Sequence, residues 1–386
     1  MIIYFLYFFV NIERQYFYNY FKNYIKLKIC ILFVNINKEI IKKKWYSKTK
    51  TIKENFMLGQ WKSSPIIKKF EKPVLTPADI PHKATLVFNA GVTKFNGKYV
   101  MAFRNDYGDY DHEKYIWDPN GINVGIATSD NGIHWTPEAQ PWFELKDDEI
   151  LRGYDPRLTV IDGVCYICLA VDTKHGLRGG IMKTEDFVNY EMISMSVPDN
   201  RNMVLFPEKI GGRYVRLERP MPVYSLGMKD RFDMWLSESP DLEFWGRSRL
   251  VLAVEDVPFA NNKVGPAAPP IKTEKGWLTT FHAVELDTTR GKNGWEPKWQ
   301  KMYYGGIALL DLEDPSKVIG MSKTPILAPE LHHECDEGYR THVIFPGGMI
   351  LEDDGEVKIY YGAADTVECL ATANVDDLIK ICTEKR

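Results

Sequence analysis

The feature that most constrains this chain is a repeat. The same pair of signals occurs five times between residue 86 and the C-terminus. The first signal is a hairpin turn followed by an alternating apolar strand. It appears as Asn96-Gly97 in FNGKYVMAF, Asp162-Gly163 in IDGVCYICLAV, Gly211-Gly212 in IGGRYVRLE, Lys275-Gly276 in EKGWLTTFH and Asp354-Gly355 in DDGEVKIYYG. Turn pairs of this kind reverse a strand onto its neighbour. The second signal is a small-residue strand running into an Asp-containing turn: VGIATSDNGIHW, GGIMKTEDFVNY, MWLSESPDLEFW, GGIALLDLEDPSKV and CLATANVDDLI. Five paired copies predict an all-β chain folded as a five-bladed β-propeller. A pair of β-sandwiches accounts less well for the fivefold pairing.

Polar residues keep one phase of this repeat. Ahead of each turn runs an apolar strand, expected to be the innermost of its blade, with polar groups at its start. These are Asn89, then Asp155 and Arg157, then Arg201 and Asn202, then Lys263, then Tyr339, Arg340 and His342. The strand after each turn adds Arg104, Asp172, Arg219, His282 and Asp365. Equivalent positions of a propeller converge on its axial channel, so these residues are expected to ring one pocket. Arg201, Arg219, Lys263 and His282 read as four potential cations suited to a phosphate or carboxylate, with Asn202 as a further donor. Pro156 is expected to hold Asp155 in extended backbone. The cations should lower the Asp155 pKa, so acid chemistry there needs compensating burial.

Residues 1–56 are unlike the rest. They contain no Gly, Ala, Asp, Pro or His, and 41 of the 56 are Phe, Tyr, Met, Ile, Asn or Lys, the residues of AT-rich codons. Translated upstream sequence with a start at Met57 is the first reading. A signal or anchor segment and a helical arm are the others. The propeller is therefore expected over 57–386. Residues 1–56 carry 11 Lys or Arg against three Asp or Glu, leaving 38 basic and 49 acidic residues beyond them. An acidic body argues against general nucleic-acid binding. No apolar run reaches the ~18–20 residues of a membrane span. The six cysteines are irregularly spaced, which predicts a reducing, cytoplasmic setting. Cys165 and Cys168 form C-x-x-C within a strand, where positions three apart face opposite sides, so two core thiols are expected. HHEC at 332–335 reads as polar surface loop, and no metal site is expected.

The motifs FNAGV with MAFRND, GYDPRL, DNRNMVLFPE with RLERP, KVGPAAPP with FHAV, GGIALLDLEDP, and FPGG with YYGAADT together resemble glycoside hydrolase family 130, the β-mannoside phosphorylases. The resemblance covers about 65–380 and implies the same five-bladed fold. It implies that Asp155 is the single catalytic acid. It assigns Arg201, Asn202, Arg219, Lys263 and His282 to phosphate, and Asn89, Arg104, Asp365 and Tyr339 to the sugar. The implied reaction is inverting: phosphate attacks the anomeric carbon of a β-mannoside, giving α-mannose 1-phosphate and a free sugar. Asp155 would protonate the leaving oxygen through the mannose 3-hydroxyl. Phosphate is a co-substrate, and no cofactor is implied.

GYDPR, GKNGWEPKWQKMYYGG and HHECDEGYRTH look like the subgroup acting on 4-O-β-D-mannosyl-D-glucose. Alternatives are phosphorylases of β-1,4-mannooligosaccharides or mannosyl-N-acetylglucosamine, a β-mannoside hydrolase of the same fold, and a non-catalytic carbohydrate-binding propeller. Trp295, Trp299, Tyr303 and Tyr304 either stack on the acceptor sugar or pack the blade. The partners expected are a disaccharide and phosphate, with a homo-oligomer left open. Only LGQWKSSPIIKKFEKP precedes the first blade where the subgroup has a helical arm used in oligomer contacts.

Overall fold

Short alternating runs punctuated by Gly, Asn and Asp make strands, and tight turns fold them antiparallel. The computed structural model describes residues 61–111, 116–221, 230–288, 295 and 299–384. Its strands form five antiparallel sheets, the blades of a five-bladed β-propeller. The first strand in the chain is β1 (Lys68–Lys69). Blade I is β2 (Leu86–Phe95), β3 (Lys98–Asp111), β4 (Ile116–Ser129) and β5 (Thr136–Pro137). Blade II is β6 (Ile150–Ile161), β7 (Val164–Thr173), β8 (Gly176–Thr184) and β9 (Glu191–Met195). Blade III is β10 (Asn200–Leu205), β11 (Tyr214–Pro220), β12 (Met234–Ser239) and β13 (Gly246–Leu252). Blade IV has β14 (Lys263–Pro266) and β15 (Ile271–Thr273) on β16 (Gly276–Leu286), then β17 (Lys301–Leu310) and β18 (Val318–Met321). Blade V is β19 (Ile344–Leu351), β20 (Glu356–Ala363) and β21 (Val367–Asn374), and its fourth strand is β1, with Lys68 opposite Thr372. Two α-helices, α1 (His332–Cys335) and α2 (Val375–Thr383), and two single-turn 3-10 helices at Pro77–Asp79 and Val254–Asp256 complete the described elements.

The hairpin signals hold with two adjustments. Asn96 and Gly97 (φ 48° and 78°), Asp162 and Gly163 (51° and 83°), and Gly211 and Gly212 (57° and 76°) all take the left-handed pair of a type I′ turn. In blade IV, Thr273 pairs with Gly276, so the turn is Glu274-Lys275, one residue earlier than expected. In blade V, Leu351 pairs with Val357, and Gly355 supplies the left-handed residue of a longer loop. The Asp-containing turns recur for a hydrogen-bonding reason. In blade III, Ser239 Oγ accepts from the amides of Asp241 and Leu242, while Asp241 Oδ1 accepts from Glu243 and Phe244. Thr184 with Asp186 and Ser129 with Asn131 do the same in blades II and I. In blade V the equivalent Asn374 accepts from the Asp376 amide and caps α2, so the chain leaves the sheet as a helix.

The core lies between blades rather than within one layer. Leu158, Ile167 and Val171 of blade II pack on Val100 and Val124 of blade I. Met203 and Leu205 meet Ile181, Phe206 meets Trp277 edge-on at 5.2 Å, and Ile307 meets Ile359. Tyr360 and Leu370 of blade V pack on Val87 and Met101 of blade I and close the ring. Near the axis the inner strands approach so closely that a Cβ on Gly91 would stand 2.6 Å from the Pro156 carbonyl oxygen. That is closer than real Cβ atoms come to backbone, and only glycine fits.

Cys165 and Cys168 are buried on opposite faces, Cys165 toward blade I and Cys168 toward blade III. Burial pushes both thiols up to about 12, which leaves them unreactive. The HHEC segment is a short helix, not simply a surface loop. Glu334 within it is fully buried, and it accepts from Lys69 Nζ (2.8 and 3.0 Å), Tyr361 Oη (2.9 Å) and two backbone amides. Among the described residues no His, Cys, Asp or Glu cluster suits a metal, and no helix is long and apolar enough to cross a membrane. Residues 1–56, including Cys30, lie outside the described residues.

Candidate active site

The axial cavity has a volume of about 360 Å³. Of the ten residues to which the resemblance gives a role, nine line it: Asn89, Arg104, Asp155, Arg201, Asn202, Arg219, Lys263, Tyr339 and Asp365. The tenth, His282, is fully buried and is not on the wall. Of the other residues expected to ring the pocket, Arg340 is on the wall, whereas His342 and Asp172 are off it; Asp172 accepts from Arg152 Nε (2.6 Å) and Tyr154 Oη (2.9 Å). Arg157 is buried and works as a clamp, donating to the carbonyls of Asn89, Pro156 and Ala267.

A backbone device aims the inner-strand side chains. The first three blades carry a one-residue bulge at the same place, between Phe88 and Gly91, Tyr154 and Arg157, and Arg201 and Val204. The bulged residues Asn89, Asp155 and Asn202 are left-handed, with φ of 54°, 56° and 60°. Asp155 is therefore not extended as expected. Proline cannot donate to a sheet ladder, and Pro156 is accommodated by the bulge. A non-glycine residue at positive φ is costly and holds only where its surroundings fix it. Here it turns three polar side chains into one channel.

Asp155 is buried among donors. Asn89 Nδ2 donates to its Oδ1 at 3.0 Å, Arg201 Nη2 donates to its Oδ2 at 2.8 Å, and Arg104 Nη1 lies 3.5 Å away. Burial alone would raise this carboxyl, but the charges of Arg104, Arg201 and Arg157 outweigh it and hold it below its ordinary value. Burial thus does not supply the compensation that the sequence demanded. Arg104 is itself gripped bidentately by Asp106 (2.6 and 2.7 Å) and lies between the rings of Phe88 and Tyr154. Burial raises the Asp365 carboxyl, and Arg340 donates to it at 3.3 Å.

The opposite wall is cationic. Arg201 and Arg219 are cross-strand partners in blade III, and Lys263 opens blade IV. Burial and Arg201 lower Arg219 to about 10. Burial and Arg219 lower Lys263 to about 7. Arg219 Nη1 must donate to His282 Nε2 (2.7 Å), since a guanidinium accepts nothing, and the ring's Nδ1–H then donates to the Pro266 carbonyl (3.1 Å). That arrangement requires a neutral imidazole. Burial and the same arginine push its pKa well below normal. The four expected cations are thus two arginines, a lysine whose pKa burial and Arg219 bring down, and a neutral histidine that props one arginine. Arg201 Nε also donates to Asn202 Oδ1 at 2.8 Å, which leaves the amide N–H groups for other partners. The cavity wall carries six Arg or Lys against three Asp, so it has an excess of positive charge.

The aromatic residues divide. Trp299 and Tyr303 stack at 5.9 Å and line the cavity, whereas Tyr304 points into the core, with its hydroxyl on Glu285. Trp295 packs edge-on against Tyr339. Tyr154, Asp106 and Arg152 also line the cavity without having been expected there. Tyr154 stood in the GYDPR motif, immediately before the residue singled out.

The family model described as β-1,4-mannooligosaccharide phosphorylase, glycoside hydrolase family 130, matches residues 61–384. A 1,2-β-oligomannan phosphorylase of Thermoanaerobacter sp. is 33% identical over 80% of this chain and 97% of its own. A 4-O-β-D-mannosyl-D-glucose phosphorylase of Bacteroides fragilis is 26% identical over 82% of this chain and 85% of its own. Among solved structures, the β-1,2-mannobiose phosphorylase of Listeria innocua in complex with β-1,2-mannobiose superimposes with a TM-score of 0.69, at 27% identity, over 82% of this chain and 99% of that one. With a propeller of five blades, a polar axial cavity and this match over almost every described residue, the chain belongs to glycoside hydrolase family 130 and is an enzyme of the glycoside phosphorylase type.

Proposed function

We propose that the chain splits a β-mannoside with inorganic phosphate, with inversion, to give α-mannose 1-phosphate and a free sugar. The observation that carries this reading is the polarity of the cavity. Arg201, Arg219 and Lys263 stand together, and among the described residues Asp155 is the only carboxylate bonded to that group. Such a wall suits an anion. Phosphate would sit against Arg201, Asn202, Arg219 and Lys263, with His282 holding Arg219 from behind. Asn89, Arg104, Asp365 and Tyr339 would hold the mannosyl unit.

In the step itself a phosphate oxygen bonds to the anomeric carbon as the glycosidic C–O bond breaks. The leaving oxygen takes a proton originating on Asp155 and relayed by a sugar hydroxyl. Because the phosphate is itself the nucleophile, a second carboxylate to activate water is not required. The low Asp155 pKa then has a use. An arriving dianion competes for Arg201 and adds negative charge nearby, and both effects raise the carboxyl toward its protonated form.

Linkage and acceptor are the finer part. The mannosylglucose reading rests on the GYDPR, GKNGWEPKWQKMYYGG and HHECDEGYRTH segments; the relative named for that activity is 26% identical, while the relative named for 1,2-β-oligomannan reaches 33%. The higher identity favours β-1,2-mannosides as a second reading. Phosphorus NMR decides both points. The protein is incubated with mannosylglucose, β-1,2-mannobiose or β-1,4-mannobiose, with and without phosphate. Formation of α-mannose 1-phosphate from any of them supports phosphorolysis and names the linkage. Free mannose at an equal rate without phosphate, and no sugar phosphate, refutes it in favour of hydrolysis.

A further inference from the structure

Glu368 is a fully buried carboxyl that the proposed chemistry does not use. It stands on β21, the third strand of blade V, opposite Gly362 on β20. Its Oε2 accepts from the backbone amide of Ala90 in blade I at 3.1 Å. The carbonyl of that same peptide, on Asn89, accepts from Arg157 Nη1 at 2.9 Å. This is the bulge peptide of β2, lifted out of the ladder between Phe88 and Gly91. Both of its polar groups would otherwise be buried without partners. The two side chains therefore grip one peptide at both ends. That grip fixes the left-handed Asn89 (φ 54°), whose Nδ2 meets Asp155 Oδ1 at 3.0 Å. Gly362 makes room for it, since a Cβ there would lie 2.5 Å from Asn89 Oδ1 and 2.8 Å from its backbone nitrogen.

We propose that Glu368 is a positioning residue for Asp155, holding the blade I bulge that delivers Asn89 to the carboxylate. The proposal rests on the reading of Asp155 as the acid. Burial pushes the Glu368 carboxyl up to about 8. At neutral pH it accepts from Ala90 without placing a second negative charge beside Asp155. Glutamine reproduces that function, because its amide oxygen accepts the same hydrogen bond. Leucine leaves the Ala90 amide unsatisfied.

The test compares E368L, E368Q and D155N on the disaccharide that the unaltered enzyme turns over fastest. E368L is expected to lose about 10²-fold in kcat, the scale of a misplaced reacting group, with the phosphate KM within about threefold of wild type. E368Q is expected to recover most of that loss. A folded E368L, judged by circular dichroism and a retained rise in Tm with phosphate, that keeps wild-type kcat overturns the proposal. Equal losses in E368L and E368Q also overturn it. If E368L does not fold, E368D takes its place: it keeps the carboxyl but draws the acceptor back from the Ala90 amide by one methylene, so its kcat should fall while that of E368Q does not, and equal kcat in the two overturns the proposal. Wild-type activity in D155N would instead bring down the reading of Asp155 itself, whatever Glu368 does.

Discussion

Replacing Arg219 with glutamine should weaken phosphate binding and strengthen the fold. Arg219 is 4% exposed, and among the described residues no carboxylate is bonded to it. Its pKa of about 10 in place of 12.5 is caused first by burial and then by Arg201. At 1.36 kcal/mol per pKa unit, that drop disfavours the charged form by roughly 3 kcal/mol. Glutamine removes the charge and keeps a donor for His282 Nε2. Allowing about 1 kcal/mol for a poorer hydrogen bond, the phosphate-free protein should gain about 2 kcal/mol. For a domain of this length that raises Tm by about 3 °C. The cost falls on the anion: loss of a charged donor, at about 1.5–3 kcal/mol, raises the phosphate KM roughly 10- to 150-fold. Thermal unfolding with and without phosphate, paired with initial rates over a phosphate series, measures both. Wild type should gain about 2.7 kcal/mol at 100 times its Kd, and R219Q should gain far less at the same concentration. A lower Tm in R219Q without phosphate, together with an unchanged phosphate KM, would refute the assignment of Arg219 to an anion site.

Lys263 titrates near 7 in the fold and 10.5 in an open chain, so between those values the unfolded state binds the extra proton. Its contribution to stability therefore rises with pH across that window, and K263M should flatten the rise in pH-dependent melts. At pH 8, phosphate binding should draw a large part of one proton onto Lys263, seen by calorimetry in buffers of different ionisation heat and absent in K263M. Trp299→Ala removes a stacked wall, so the acceptor KM in the synthetic direction should rise about 3- to 10-fold with the phosphate KM unmoved. Glu334→Leu strands Lys69 without its buried partner and should cost about 3–5 kcal/mol, or about 5–7 °C in Tm, with kcat unaffected in the folded fraction.

The blade count was legible because each blade carries two turn signatures whose chemistry is local. Asn96-Gly97 and Ser239 with Asp241 need only their own neighbours to define a turn. The members of the cavity were legible because a propeller converts sequence phase into radial position, which is how Asn89, Asp155 and Lys263 could be grouped without a structure. What was not legible depends on register and on contacts distant in sequence. The bulges at Asn89, Asp155 and Asn202 change the backbone that Pro156 seemed to dictate. His282 has the right phase, yet Gly265 and Pro266 stand across from it and Arg219 lies in front, so it sits one layer back. Glu334 looked like surface until Lys69, 265 residues away, met it. Tyr303 and Tyr304 are neighbours with opposite fates, and only the facing of β17 tells them apart.

Among the described strands, the one that seals blade V leaves the ribosome first, and its partner β21 leaves last. Some 300 residues separate Lys68 from Thr372, so at about 5–20 residues per second β1 waits roughly 15–60 s for its partner. Just beyond β1, the Leu75 amide and carbonyl pair with the backbone of Glu368, the residue whose side chain grips Ala90. Sealing the ring and setting the Asn89 peptide thus use the same residue. A nascent chain lacking its last blade would have most of the cavity wall in place but not the amide aimed at Asp155. Competence would arrive in one step, with closure, and not in proportion to the number of blades made.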